Sequence, residues 1–197
     1  MTGTARRRLS PEDRRLELLA FGQRFFAEHP VDAFTMDEIA DRAGVSKGLL
    51  YRHFGGRRGF YVATITAIAE EVAQLTEPEP GIAFADAFRE ALDRYLAWVE
   101  DNGEIYRVLV HGGVGVDPEV SAVVEGLRRK TMARVAERAG LRRNATIDVA
   151  LYGWVCLAEN ACLEWLTKTR VSRQTMVELL TGALGGALAA CGVRVRD

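Results

Sequence analysis

The chain reads as an all-α protein of about nine helices, and three observations predict it. Helix-capping and helix-ending residues recur along the whole 197-residue length. Apolar residues advance in steps of three and four rather than two. No stretch shows the apolar–polar alternation of a half-buried strand. The length suits one domain with a substantial core, or two small ones.

Taken in order, Ser10 is an N-cap with Pro11 at the first helical position, and Glu12 and Asp13 favour the positive helix end. Leu16, Leu19, Ala20, Gln23 and Phe26 then trace one stripe, predicting a helix over about 11–28 that His29-Pro30 ends. Thr35-Met36-Asp37-Glu38 is a capping box opening a short helix, closed by Ala43-Gly44. Ser46 caps another short helix running to about Phe54, and Gly55-Gly56 breaks it. A longer helix covers about 57–76.

The stretch from Pro78 to Pro80-Gly81 is the one convincing linker. Beyond it, helices are expected near 83–101, 104–112, 118–140, 145–169 and 173–191. Asp117-Pro118-Glu119 is a clear start and Gly140 a natural stop. Glycine and alanine crowd the last two helices at Gly153, Ala158, Ala161, Gly182, Gly185, Gly186 and Ala189. A glycine inside a helix costs about 1 kcal/mol relative to alanine, so the cluster predicts a close helix crossing that offsets the loss.

Composition removes several classes. With 48% hydrophobic and 27% charged residues, the chain is neither disordered nor fibrous. Three cysteines without a CxxC pattern argue against a disulfide framework or structural zinc, and they suit a reducing cytoplasm. Cys156 and Cys162 lie six apart, on different helical faces, which disfavours a metal pair. No metal or cofactor is expected. Arg6-Arg7-Arg8 is followed by Ser10-Pro11-Glu12-Asp13 where a secretion leader would be apolar. The longest late uncharged run, Leu179–Val193, has 15 residues, too short for a membrane span. The net charge of -1 hides an asymmetry: residues 1–60 hold 11 Lys/Arg against 8 Asp/Glu, while the remainder is acidic.

The two short helices carry the chemistry. Ile39, Ala40 and Ala43 form one apolar face, Gly44 permits a sharp left-handed redirection, Val45 packs beneath the turn, and Leu50 and Phe54 plug a core. Lys47, Gly48, Tyr51 and Arg52 remain as a continuous outward face, flanked by Leu49 and His53. A helix in a DNA major groove needs such groups: cations and hydroxyls for phosphates, donors for base edges, and a glycine for close approach. A solvated face of a small helical bundle would use the same residue types. The stretch TMDEIADRAGVSKGLLYRHFGGRRGF, Thr35 to Phe60, resembles the helix-turn-helix signature of TetR-family transcriptional regulators. It carries the Thr cap, the IA-x-x-AGVS core, the Lys-Gly pair and the Leu-Tyr-x-x-Phe ending.

The resemblance implies a helix-turn-helix DNA-binding domain over residues 1–56, a connecting helix and linker over 57–80, and a ligand-binding and dimerisation bundle over 81–197. It assigns phosphate contacts to Thr35, Tyr51, His53 and Arg57, and the groove-facing turn to Ser46, Lys47, Gly48 and Leu49. Arg52 is an added outward cation, and Arg6 to Arg8 would trail along the duplex or remain solvated. The sequence departs from the family where Gly55-Gly56-Arg57-Arg58-Gly59 replaces a small residue, lysine and an acid. Gly44-Val45-Ser46-Lys47-Gly48 also satisfies G-x-S-x-G, but that hydrolase motif needs a strand before the turn, and EIADRA reads as a helix. His29, His53 and His111 fall in different elements, so no catalytic constellation emerges.

In the rear, Phe88, Tyr95, Trp98, Tyr106 and Trp154 are candidates to line a ligand cavity, with His111, Glu159 and Asn160 as polar groups orienting its occupant. Core filling and interhelical hydrogen bonds would use the same residues. The implied partners are a palindromic DNA operator, an unknown small-molecule effector, and a second copy bound through the last two helices. A protein-interaction bundle without DNA binding is the alternative. The implied mechanism is a cytoplasmic, dimeric repressor whose effector changes the spacing of two reading heads, with the helix over 57–76 as transmitter.

Overall fold

The computed structural model describes residues 10–30, 32–79, 81–112, 117–167 and 170–193, without the side chains of His111 and Gly112. Arg6, Arg7 and Arg8, read as a basic arm, and the His111 side chain lie outside the described residues. Within them the chain is all-α: α1 (Pro11–Glu28), α2 (Met36–Ala43), α3 (Lys47–Phe54), α4 (Arg57–Leu75), α5 (Phe84–Asp101), α6 (Gly103–Gly112), α7 (Pro118–Arg138), α8 (Ala145–Trp165) and α9 (Arg173–Ala190). Two compact units divide between Ala67 and Ile68, inside α4.

The first unit packs α1, α2, α3 and the start of α4 around Leu18, Phe25, Phe26, Ile39, Leu50, Phe54 and Phe60. Its aromatic heart is tight, with Phe54 and Phe60 ring centroids 4.7 Å apart. Each such burial stabilises by roughly 1.5–3 kcal/mol. The buried stripe of α1 is Leu18, Leu19, Gly22, Phe25 and Phe26, and Leu16, expected inside, is exposed. The reason is Gly22. A Cβ there would lie 2.8 Å from Phe60 Cζ and 2.5 Å from Thr64 Oγ1. The missing side chain lets α1 and α4 approach, which rotates the stripe towards the glycine.

In the second unit α5 and α8 pack against α9, and α7 lies on α8. Leu96, Val99, Leu151, Leu180 and Leu188 sit at its centre. Trp154 Nε1 donates to Leu180 O at 2.9 Å, so its polar atom is satisfied within the apolar interior. α8 ends at Trp165 rather than near 169, because Trp165 Nε1 reaches forward to Val171 O at 2.8 Å and closes the turn into α9. Among the described residues, the crowded glycines make no close crossing inside the chain. A Cβ at Gly153, Gly182, Gly185 or Gly186 would meet nothing within 4 Å. Ala158 alone of that group is buried.

Candidate nucleic-acid interface and cavity

Every joint of the turn between α2 and α3 is set by a local hydrogen bond. Thr35 N donates to Glu38 Oε2 at 2.8 Å, and Glu38 N donates to Thr35 Oγ1 at 3.3 Å, completing the capping box. The Thr35 backbone N–H foremost, and the Thr35 hydroxyl beside it, both donate to the Glu38 carboxylate and hold it below its ordinary pKa. Gly44 adopts φ 66°, in the left-handed region, and Val45 N closes back on Ala40 O at 3.0 Å. Ser46 then caps α3 by accepting from Leu49 N at 3.3 Å. Leu50 and Phe54 anchor the inner face of α3, which leaves Lys47, Gly48, Tyr51 and Arg52 exposed. Among the described residues, nothing beyond its chain neighbours and the backbone of α3 lies within 4 Å of a Cβ built on Gly48, so a partner's backbone can come close there. Leu49 and His53 are half-buried, and Leu49 leans on the core.

Two cations expected at DNA, Lys47 in the groove-facing turn and Arg57 at a phosphate, already have acidic partners. Lys47 Nζ lies 2.7 Å from Asp37 Oδ2, and this hydrogen bond raises the lysine pKa. Arg57 spans two contacts, donating to Phe34 O at 3.1 Å and to Asp32 Oδ1 at 2.7 Å. Arg57 therefore ties the start of α4 to the loop before α2. Thr35 is similarly engaged, its hydroxyl donating to Glu38 Oε2 at 2.9 Å.

The second unit holds a half-open cavity of about 130 Å³. Its walls are mostly apolar, with Phe84, Phe88, Leu92 and Trp154 among them. Tyr95 also lines it, its hydroxyl 2.9 Å from that of Tyr106, which in turn donates to Glu159 O at 3.2 Å. Burial pushes both phenols well above their ordinary pKa and the Cys162 thiol up to about 12, so all three stay neutral. Across the wall Arg128 grips Glu159 with a fork, Nε to Oε1 at 2.9 Å and Nη2 to Oε2 at 2.7 Å. That hydrogen-bonded pairing raises the guanidinium pKa still further. Around the same cavity three arginines hold the end of α4 and the linker. Arg94 Nε donates to Leu75 O at 2.8 Å, Arg134 Nη1 to Ala73 O at 2.9 Å, and Arg138 Nη2 to Glu79 O and Ile82 O at 3.3 Å.

Two family models together span most of the chain. Residues 18–64 match "Bacterial regulatory proteins, tetR family", and residues 85–184 match "Tetracyclin repressor-like, C-terminal domain". The chain belongs to the TetR family of transcriptional regulators. It is similar to the HTH-type transcriptional activator FasR of Mycolicibacterium smegmatis, 26% identical over 87% of this chain and 81% of that protein. The HTH-type transcriptional repressor AcnR of Corynebacterium efficiens is 26% identical over 71% of this chain and 74% of its own. A tetR-family regulator from Streptomyces coelicolor shares the fold, with a TM-score of 0.76 at 24% identity, covering 93% of this chain and 82% of that one. These relatives are regulators of transcription, not enzymes.

The G-x-S-x-G match is the N-cap of α3, preceded by a helix instead of the strand that a hydrolase would need. Of the eight residues expected at a cavity, Phe88, Tyr95, Trp154 and Glu159 line it. Trp98 does not: its Nε1 donates to Glu71 Oε1 at 2.9 Å. Tyr106 stands behind Tyr95, fully buried. Asn160 turns back to Cys156 O of its own helix at 2.8 Å on an exposed face. The arginines Arg128, Arg134 and Arg138 are lining residues that sequence reasoning missed. Their signal was present, since Leu127, Arg128, Thr131, Arg134, Val135 and Arg138 fall on one face of α7. Among the described residues no helix is long and apolar enough to cross a membrane, and no cluster of side chains could hold a metal ion.

Proposed function

We propose that this regulator binds a palindromic operator as a homodimer, represses by occluding a promoter, and is released by a small effector in the cavity of its second unit. The observation that carries the reading is the outward face of α3. Lys47, Tyr51 and Arg52 offer an ammonium, a phenol and a guanidinium beside the open approach at Gly48, while Leu50 and Phe54 fix the helix from behind. One such helix contacts few bases, and two placed about 34 Å apart read successive major grooves. Repression needs only occupancy of the operator, which makes it the simpler output. Its working compartment is then the cytoplasm.

The dimer reading rests on a stripe over α8 and α9. Val149, Tyr152, Leu157 and Leu179 are exposed large apolar residues, and the uncrowded glycines Gly153, Gly182 and Gly186 accompany them. A second copy would bury this stripe, with the glycines admitting close backbones. Effector release requires only that the ligand prefer the state unfit for DNA. A hundredfold preference supplies about 2.7 kcal/mol of coupling. α4, gripped at its end by Arg94 and Arg134, with Arg138 holding the linker that follows, is the transmitter.

Replacing the exposed Tyr51 by Ala tests the DNA assignment. Operator affinity should fall about tenfold or more while the melting temperature stays nearly unchanged, because surface substitutions usually shift stability by less than about 0.5 kcal/mol. Fragments selected from random duplexes supply the operator, and fluorescence anisotropy with thermal melts reads both quantities. Unchanged affinity would remove α3 as the reading helix.

A further inference from the structure

We propose that the cavity takes a small apolar monoanion, a carboxylate of about phenylpropionate size, with its charged end at Arg138. This rests on the effector reading above and names the chemical class it left open.

Charge decides it. Arg128, Arg134 and Arg138 line the cavity, and Glu159 is the one acid among the lining residues. Glu159 is consumed by Arg128 through the two-pronged contact, with both side chains largely buried at 13% and 18% exposure. Arg134 is balanced at the rim by Glu77, 3.1 Å away and solvent-facing. Arg138 differs. Its acceptors among the described residues are two backbone carbonyls, of Glu79 and Ile82, both at 3.3 Å. Neutral carbonyls at that distance leave a full positive charge on the wall. A half-buried guanidinium facing an apolar space favours an anion, and its planar fork matches a carboxylate.

The remaining walls choose the body. Phe84 and Phe88 stack with centroids 5.6 Å apart, and Phe88 meets Trp154 at 5.5 Å. Trp154 Nε1 and both tyrosine hydroxyls are already hydrogen-bonded inside the protein. These aromatics therefore present apolar surface and ask for no polar groups on the ligand body. The volume of about 130 Å³ matches a cavity that holds one benzene ring. A single ring with a short arm to the carboxylate satisfies size, surface and charge together. A sugar or nucleotide would bury hydroxyls without partners, at a penalty for each.

The test compares 3-phenylpropionate with 3-phenylpropionamide, equal in shape and different in charge, by calorimetry on the full chain. The acid should bind about tenfold more tightly than the amide, as expected for hydrogen bonds to a charged group. R138Q should bring the two within about threefold, R138K should keep part of the preference, and R129Q, on an exposed position of α7, should leave it intact. Thermal melts confirm that each variant is folded. Equal binding of acid and amide, no binding of either, or a preference surviving in folded R138Q would each overturn the assignment. Release of operator DNA is read separately. An acid that binds through Arg138 without releasing DNA defeats the regulatory reading and leaves the ligand class standing. An amide that releases DNA as well as the acid does the reverse.

Discussion

At the scale of single residues, two cations of the first unit, Lys47 and Arg57, are held before any DNA arrives. Lys47 belongs to Asp37 and Arg57 to Asp32 in this structure, so under the proposed reading DNA competes with a carboxylate for each. Both pairs are exposed, and exposed pairs contribute only about 0–1 kcal/mol, so a polyanion can displace them. Asp37→Asn should accordingly raise affinity for a random duplex by about two- to fivefold more than Asp41→Asn, which removes the same charge from α2. Anisotropy titrations at one fixed salt concentration measure this. Weaker binding by Asp37→Asn would mean that Asp37 aims Lys47 instead of restraining it. The sequence showed Lys47 and Arg57 as candidate cations because they fall in a recognisable motif. It did not show their partners, since Asp32 and Asp37 lie 25 and 10 residues away and meet them only through the fold.

Elements were legible to different depths. Caps such as Ser10, Thr35 and Ser46 are local, and each accepts the backbone hydrogen bond its position requires. The inward face of α1 was less legible, because periodicity ranks Leu16 above Gly22 while packing reverses them. The glycines of the DNA-binding unit show the same split. Gly59 stands in the sequence only as part of the Gly55–Gly59 departure from the family pattern, yet a Cβ there would lie 2.0 Å from Phe54 O, a backbone atom that cannot step aside. Gly48 has open space instead. Gly59→Ala should therefore destabilise the unit by about 1–3 kcal/mol or more. Gly48→Ala should stabilise α3 by up to about 1 kcal/mol through helix propensity, while weakening operator binding by filling the approach. Melting curves and operator titrations on the two variants give opposite signs for stability and the same sign for binding. Loss of stability in Gly48→Ala would show that its role is structural.

For the whole molecule, the open question is what covers the outer faces of α8 and α9. The glycine spacing was visible in the sequence, but not whether it served a crossing inside the chain or outside it. Geometry separates the two, because Gly153, Gly182, Gly185 and Gly186 all face empty space while Leu180, Leu184 and Leu188 carry the internal packing. Glycines retained in a helix without an internal neighbour, beside Val149 at 74% and Leu179 at 51% exposure, fit a surface meant for another chain. Gly182→Arg exploits that separation. The single chain has room for the side chain, so far-UV dichroism and melting should change little. A second copy has no room for two arginines meeting across a two-fold axis, so light scattering should report a monomer at micromolar concentration. Affinity for a two-half-site operator should then fall by about 10², the gain normally supplied by joining two reading heads, while binding to one isolated half-site is retained. A Gly182→Arg variant that remains dimeric would move the interface off this stripe.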